Sequence, residues 1–303
     1  MKVLLIGYGS IGKRHYEVLS QMGCIAQIDV VTSQSLSNIT TYPTLDAVKD
    51  LEHYGYFVIA SETFKHFDQI AYLERNTKNA IILCEKPLFD TSKTINVRQN
   101  SVYIGYVLRF HPILQKIESI LKQEKPFAVQ VRCGSYLPFW RPGTDYRKSY
   151  SAFKDQGGGV LLDLSHEIDY IQWLFGTIIT IDSYQSKISD LEISSDDYVS
   201  AIGTTENGTI IDFSLDYISK IPIREILFHT PNITVRADLI SNRLEIGTKN
   251  GDIETVPTEV PERNDLFRKM HLSALGNREY LSTLKEGLSV MKTISIIQEQ
   301  ANG

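Results

Sequence analysis

Three groups of residues in this 303-residue chain have the types and spacing to do chemistry. The first is Gly7-Tyr8-Gly9-Ser10-Ile11-Gly12, a G-x-G-x-x-G turn between the apolar run Val3–Ile6 and a segment of helical spacing. In that setting Gly7 permits a tight turn, Gly9 lets backbone approach a pyrophosphate, and Gly12 lets helix pack on strand. Ser10 and Ile11 open the helix, whose free N–H groups attract an anion. The second is Lys86, which follows the apolar strand Ala80–Cys84 and Glu85 and precedes Pro87. A lysine is ordinarily a solvated surface group. Here the proline restricts the backbone, and a lysine held beside a nicotinamide can steady an oxygen on which charge develops. The third lies in VLLDLSHEIDYIQWLFG, directly after Gly157-Gly158-Gly159. On a helix Leu161, Leu164, Ile168, Ile171 and Phe175 form an apolar stripe, while Asp163, His166, Glu167 and Tyr170 fall at i, i+3, i+4 and i+7 on a polar one. A carboxylate one turn from a histidine can orient the imidazole and raise its basicity. A solvated amphipathic face has the same pattern. The triple glycine, which lets something approach the helix start, favours function.

The elements that must position these groups follow in order. Ile25–Val31 has the pattern of a second strand, and Thr32 stands where an acidic ribose ligand is expected, with Asp29 inside the apolar run. An acid there favours NAD and repels the 2′-phosphate of NADP. Thr32 and Ser33 remove that repulsion, although no Lys or Arg follows closely, so the cofactor is NAD or NADP with a lean to NADP. Tyr56–Ala60 is a third strand ending at Ser61-Glu62-Thr63, followed by a helix over Phe64–Thr77, a helix over Thr91–Gln99 and a strand over Ser101–Tyr106. Strands alternating with helices predict an α/β, doubly wound parallel sheet with ligands at the carboxyl ends of its strands. From Phe110 the pattern changes: a helix over His111–Gln123, a strand over Pro126–Cys133, then an aperiodic stretch rich in Tyr, Trp, Arg, Pro and Gly. Ile178–Val256 predicts antiparallel strands with hairpin turns at Asn207-Gly208 and Asn250-Gly251, and helices over Asn264–Asn277 and Thr283–Gln300 close the chain. The expected division is a dinucleotide-binding domain over 1–110 and a substrate-binding α+β domain over 111–303.

Bulk properties exclude several classes. A net charge of −5 leaves no footprint for nucleic acid, and no apolar run approaches the roughly 20 residues that span a bilayer. Cys24, Cys84 and Cys133 match neither a disulfide framework nor a metal spacing, so no metal is expected. The opening apolar run is too short for a signal peptide, which predicts a cytoplasmic protein.

With GYGSIGKRH, the Ser61–His66 stretch, CEKP at Cys84–Pro87 and GGGVLLDLSHEID in this order, the chain resembles the Gfo/Idh/MocA oxidoreductases, the glucose–fructose oxidoreductase and inositol dehydrogenase family. The resemblance implies a Rossmann domain followed by an open antiparallel sheet, whose outer face often builds a dimer or tetramer. It implies that Glu85, Lys86, Ser61, Glu62 and His66 border the cofactor, that Lys86 is catalytic with the Lys86–Pro87 bond open to the cis form, and that the catalytic histidine and aspartate are His166 and Asp163. The usual D-x-G-x-H pattern is one residue shorter here, and Glu62 replaces a proline usual after the third strand. The expected activity is NAD(P)-dependent interconversion of a secondary alcohol and a ketone on a sugar-like small molecule. His166 takes the hydroxyl proton, Asp163 holds the ring and Lys86 steadies the oxygen. Arg109, Trp140, Arg141, Tyr146, Arg147 and Tyr150 are expected near the cleft mouth, and arginines among aromatics mildly favour a nucleotide sugar or sugar acid. Two alternatives keep the same residues: a non-catalytic dinucleotide-binding sensor, or a glycosidase-type enzyme that retains its cofactor.

Overall fold

The structure, a computed structural model, describes residues 1–301. Its first half opens with β1 (Lys2–Ile6), α1 (Ser10–Ser20), β2 (Gln27–Val31), β3 (Thr41–Tyr42), β4 (Tyr56–Ile59), α2 (His66–Asn76), β5 (Ile81–Cys84) and β6 (Ser101–Ile104). These six strands pair parallel in the order β6-β5-β4-β1-β2-β3. Val3–Ile6, Tyr56–Ile59 and Ile82–Cys84 are fully buried, so the near-continuous apolar runs have the pattern of strands covered on both faces. Gly9 and Gln21 cap α1, which fills the segment of helical spacing after the glycine turn, and α2 is preceded by a single 3₁₀ turn over Thr63–Lys65.

The helix expected over Thr91–Gln99 does not form. The Glu74 carboxylate accepts the backbone N–H groups of Arg98 and Gln99, and the Asn100 side chain donates to Glu74 and to the Thr77 carbonyl. The Glu74 side chain thus satisfies two backbone N–H groups that a helix would have paired internally.

The second unit contains α3 (Pro112–Leu121), β7 (Ala128–Gly134), α4 (Val160–Asp163), α5 (Ser165–Phe175), β8 (Ile178–Ser186), β9 (Tyr198–Thr205), β10 (Ile210–Asp216), β11 (Ile223–His229), β12 (Ile233–Asp238), β13 (Arg243–Thr248) and β14 (Ile253–Val256). Its sheet runs β14-β13-β12-β11-β7-β10-β9-β8 and is antiparallel except for the β7–β10 pair. Ile211, Phe213, Leu215 and Tyr217 are buried, as the alternation predicted. Gly208 (φ +81°) and Gly251 (φ +88°) turn the two predicted hairpins.

The chain then returns to the first unit: α6 (Arg263–Leu275) and β15 (Ser282–Thr283) precede α7 (Leu284–Ala301). One compact unit comprises Met1–Phe110 and Pro261–Leu288, the other His111–Val260 and the chain from Ser289. The expected second domain of 111–303 therefore gives up a segment. Leu266, Phe267, Met270 and Ala274 of α6 join Val18, Leu19 and Met22 in the first unit's core, which local periodicity cannot reveal. Among the described residues no helix is long and apolar enough to cross a membrane, and no group of three or more His, Cys, Asp or Glu could hold a metal ion.

Candidate functional site

The glycine turn lies where β1 ends and α1 begins. Gly7 has φ +99°, and a Cβ there would lie 2.5 Å from the Ala60 carbonyl oxygen. At Gly12 a Cβ would lie 2.2 Å from the Gly7 carbonyl oxygen, so this glycine closes helix onto turn. Gly9 differs from both: nothing lies within 4 Å of its Cβ position. Gly9 also caps α1 without a side-chain hydrogen bond, and no acid occupies the first turn. An uncapped helix N-terminus beside open space suits a pyrophosphate. The residues present therefore fit a dinucleotide.

At the end of β2 the Thr32 hydroxyl accepts the Gln34 N–H, and Ser33 is exposed. Asp29 is buried and accepts from Tyr54 and Gln27, so it is turned into the unit. Gln34, which the sequence did not single out, donates from its side chain to the Tyr8 carbonyl of the glycine turn.

The strand ends after β4 and β5 are braced together. His66 is only 1% exposed; its Nδ1 lies 3.2 Å from the Pro87 and Leu88 carbonyl oxygens, and its Nε2 lies 3.2 Å from that of Ser61. Burial lowers its pKa from the usual histidine value. His66 thus pins two loops and is not a group presented to a cofactor, which corrects its expected role. Ser61 donates to Gln69, and exposed Glu62 pairs with Lys65. Glu85 is buried, with its carboxylate accepting the Lys86 N–H. The Lys86–Pro87 bond is cis.

In the second unit the predicted single helix is broken at Leu164 into α4 and α5. The Asp163 carboxylate accepts three hydroxyl hydrogen bonds, from Tyr150 (2.7 Å), Ser151 (2.6 Å) and Tyr217 (2.6 Å). Burial and the Asp163 charge raise the Tyr217 pKa well above the ordinary tyrosine value. Ser151 and Tyr217 were missed because neither lies in a motif; only the fold carries them to Asp163.

The polar stripe is also buried, so it is not the solvated amphipathic face that shared its pattern. Glu167 is fully buried and accepts Arg224 Nε at 2.8 Å, and Tyr170 is fully buried too. Among Val160–Ile171, His166 alone is half-buried and the rest are buried. The triple glycine serves packing: a Cβ at Gly158 would meet the Tyr150 carbonyl oxygen at 2.2 Å, and one at Gly159 (φ +124°) would meet Asp196 Oδ1 at 2.2 Å. What approaches the helix start is the chain itself.

The expected cleft arginines divide. Arg109 is 2% exposed and pairs with Glu286 at 2.8 Å, so it does not present its guanidinium to a ligand. Burial opposes ionisation of Glu286, yet Arg109 and Thr283 hold its pKa below the usual glutamate value. Arg147 is engaged by Asp145 and Glu192. Tyr146 accepts the Glu192 N–H, Trp140 donates to Ser135, and the Arg141 guanidinium lies over the Tyr150 ring at 5.5 Å.

Comparison with known proteins agrees with this architecture. A profile described as an oxidoreductase family with an NAD-binding Rossmann fold matches residues 1–99, and one described as a GFO/IDH/MocA C-terminal domain matches residues 125–246. A sequence search of curated proteins returned no match. Among solved structures, UDP-N-acetylglucosamine 3-dehydrogenase GnnA from Acidithiobacillus ferrooxidans aligns with TM-score 0.77 and 17% identity over 99% of this chain and 97% of its own. Levoglucosan dehydrogenase in complex with NADH and L-sorbose aligns with TM-score 0.83 and 14% identity over 100% and 97%. An oxidoreductase from Agrobacterium radiobacter in complex with NAD+, L-tartaric acid and magnesium gives TM-score 0.81 and 15% identity over 100% and 96%.

Proposed function

The chain belongs to the Gfo/Idh/MocA family of NAD-binding oxidoreductases, and we propose that it interconverts a secondary alcohol and a ketone on a sugar-like substrate. One observation carries this most of the way: the open space over Gly9 at the uncapped start of α1, with Glu85-Lys86-Pro87 fixed at the end of β5 in the same unit. A bound nicotinamide supplies the hydride acceptor or donor. The backbone N–H groups at Gly9–Gly12 hold the pyrophosphate. Lys86 Nζ donates a hydrogen bond to the substrate oxygen and stabilises negative charge as it develops. His166 accepts the hydroxyl proton in the oxidative direction and returns it in the reductive one. Asp163, anchored by its three hydroxyl bonds, and Glu167, paired to Arg224, fix the start of α5 and so aim His166. The sugar or nucleotide-sugar names of the structural neighbours support this substrate class.

Thr32 leads us to propose that NADP is accepted at least as well as NAD, since no carboxylate faces the 2′-phosphate position from the end of β2. Tyr184, Ile202 and Ile210 lie exposed on one face of the second unit's sheet by its register, and we propose that this face joins copies of the chain into a homodimer or homotetramer. The test of the activity is nicotinamide absorbance in the presence of NAD+ or NADP+ and a panel of hexoses, hexuronic acids and nucleotide sugars. Net turnover supports a dehydrogenase. Product formation without net redox change would replace that reading with the glycosidase-type route.

A further inference from the structure

Four side chains of the first unit that the proposed chemistry leaves unused form one continuous buried chain. Tyr56, His271 and His15 are fully buried, and Glu85 is 7% exposed. The Tyr56 hydroxyl lies 2.8 Å from His271 Nδ1, and His271 Nε2 lies 2.9 Å from His15 Nδ1. His15 Nε2 lies 2.9 Å from Glu85 Oε1, while Glu85 Oε2 accepts the backbone N–H of Lys86 at 3.2 Å. At position 105 a Cβ would come within 2.9 Å of Glu85 Oε1, so the carboxylate has its place because that residue is glycine.

Counting donors and acceptors selects one arrangement. A buried tyrosine hydroxyl is satisfied here by donating to His271 Nδ1, which leaves the His271 proton on Nε2. That proton is donated to His15 Nδ1, so the His15 proton sits on Nε2 and is donated to Glu85 Oε1. Both imidazoles are neutral, Glu85 is a carboxylate, and every proton is used. Reversing the order would aim a ring N–H at the Tyr56 oxygen and leave the hydroxyl proton unplaced. Burial keeps the His271 pKa well below the usual histidine value, which agrees with a neutral ring.

We propose that His15 is a positioning residue: through Glu85 it fixes the backbone of Lys86, and with His271 and Tyr56 behind it ties that backbone to α1, the helix that faces the dinucleotide. The importance of the link for turnover rests on the proposed role of Lys86. His15 lies one helical turn past the glycine motif, so the helix that holds the cofactor and the strand end that carries Lys86 share one rigid connection. Tyr56 comes from β4 and His271 from α6, which gives the returning segment Pro261–Leu288 a task beyond covering the core.

The test does not depend on turnover. In ¹⁵N-histidine-labelled protein at neutral pH, His15 and His271 are expected as Nε2–H tautomers; either ring found as the Nδ1–H tautomer or as imidazolium overturns the ordering. Two variants then separate positioning from general stability. In His15→Gln the amide nitrogen reaches the place of Nε2 and keeps donation to Glu85; in His15→Asn it reaches the place of Nδ1 and loses it. Hydrogen exchange at the Lys86 amide is expected to accelerate about tenfold or more in His15→Asn. In His15→Gln it stays within about threefold of the wild type, and NADH affinity stays within about threefold in both variants. Equal acceleration in the two variants, or acceleration that merely tracks thermal stability, overturns the proposal. If Lys86→Ala retained full turnover, the catalytic role of Lys86 would fall while these exchange and tautomer results would stand on their own.

Discussion

Gly9 and Gly12 sit three residues apart in one turn, yet substitution should break different things. An alanine Cβ at Gly12 would lie 2.2 Å from the Gly7 carbonyl oxygen, a backbone atom that cannot rotate aside. Relieving such an overlap costs about 1–3 kcal/mol, which in a unit of this size lowers the melting temperature by about 5 °C. Gly9→Val meets no neighbour, since nothing lies within 4 Å, and φ −73°, ψ −165° is extended backbone open to any residue. Replacing glycine at a helix N-cap with a branched residue costs about 1 kcal/mol at most. The valine methyls would instead fill the space over the helix N-terminus. Excluding an anion from one or two charge-assisted backbone hydrogen bonds, at about 1.5–3 kcal/mol each, should weaken dinucleotide binding about 10- to 10⁴-fold. Thermal unfolding and NADH fluorescence titration of both variants read the two effects separately. A folded Gly9→Val protein that binds NADH within a few-fold of the wild type would refute the placement of the pyrophosphate. A Gly12→Ala protein as stable as the wild type would refute the packing argument.

Other outcomes follow from the same geometry. Thr32→Asp should shift the ratio of NAD to NADP affinity toward NAD, measured by parallel titrations; a wild type that already binds NAD far more tightly contradicts the Thr32 argument. Burial depresses the pKa of His66 and of His271, so between their folded values and the unfolded value near 6.5 the unfolded chain binds more protons. Stability should therefore fall as pH drops below about 6.5, by up to about 1.4 kcal/mol per pH unit for each group, read from denaturant midpoints; His271→Gln should remove its share of that slope. Arg224→Ala strands the buried Glu167 carboxylate and should cost about 3 kcal/mol in urea unfolding, whereas a loss under 1 kcal/mol would mean that water reaches Glu167.

Much of the first unit was legible because its determinants are local. Parallel strands buried on both faces are continuous apolar runs, and a glycine turn between strand and helix declares its own geometry. Thr91–Gln99 defeated the same logic, since Glu74 takes up the Arg98 and Gln99 N–H groups from a distance. The helix with His166 was legible as a helix but not in its surroundings. Glu167 and Tyr170 look like a wet face until Arg224 and the sheet cover them. The three hydroxyls on Asp163 come from residues 12, 13 and 54 positions away, beyond the reach of any helical wheel. Arg109 was misplaced for the reverse reason, because nothing in its neighbourhood announces Glu286, 177 residues later. His15 stood in view within GYGSIGKRH, yet its partners His271, Tyr56 and Glu85 are brought together only by the fold.

The most direct measurement is hydride transfer itself: nicotinamide absorbance followed with NAD+ and NADP+ over the hexose, hexuronic acid and nucleotide-sugar panel, in wild type, Lys86→Ala and His166→Ala. The wild type should reduce the nicotinamide with at least one member. Each substitution should lower that turnover about 10²–10⁴-fold while leaving cofactor affinity within a few-fold. A wild type that binds nicotinamide but reduces none of it across the panel, or variants that turn over as fast as the wild type, would contradict the proposed chemistry.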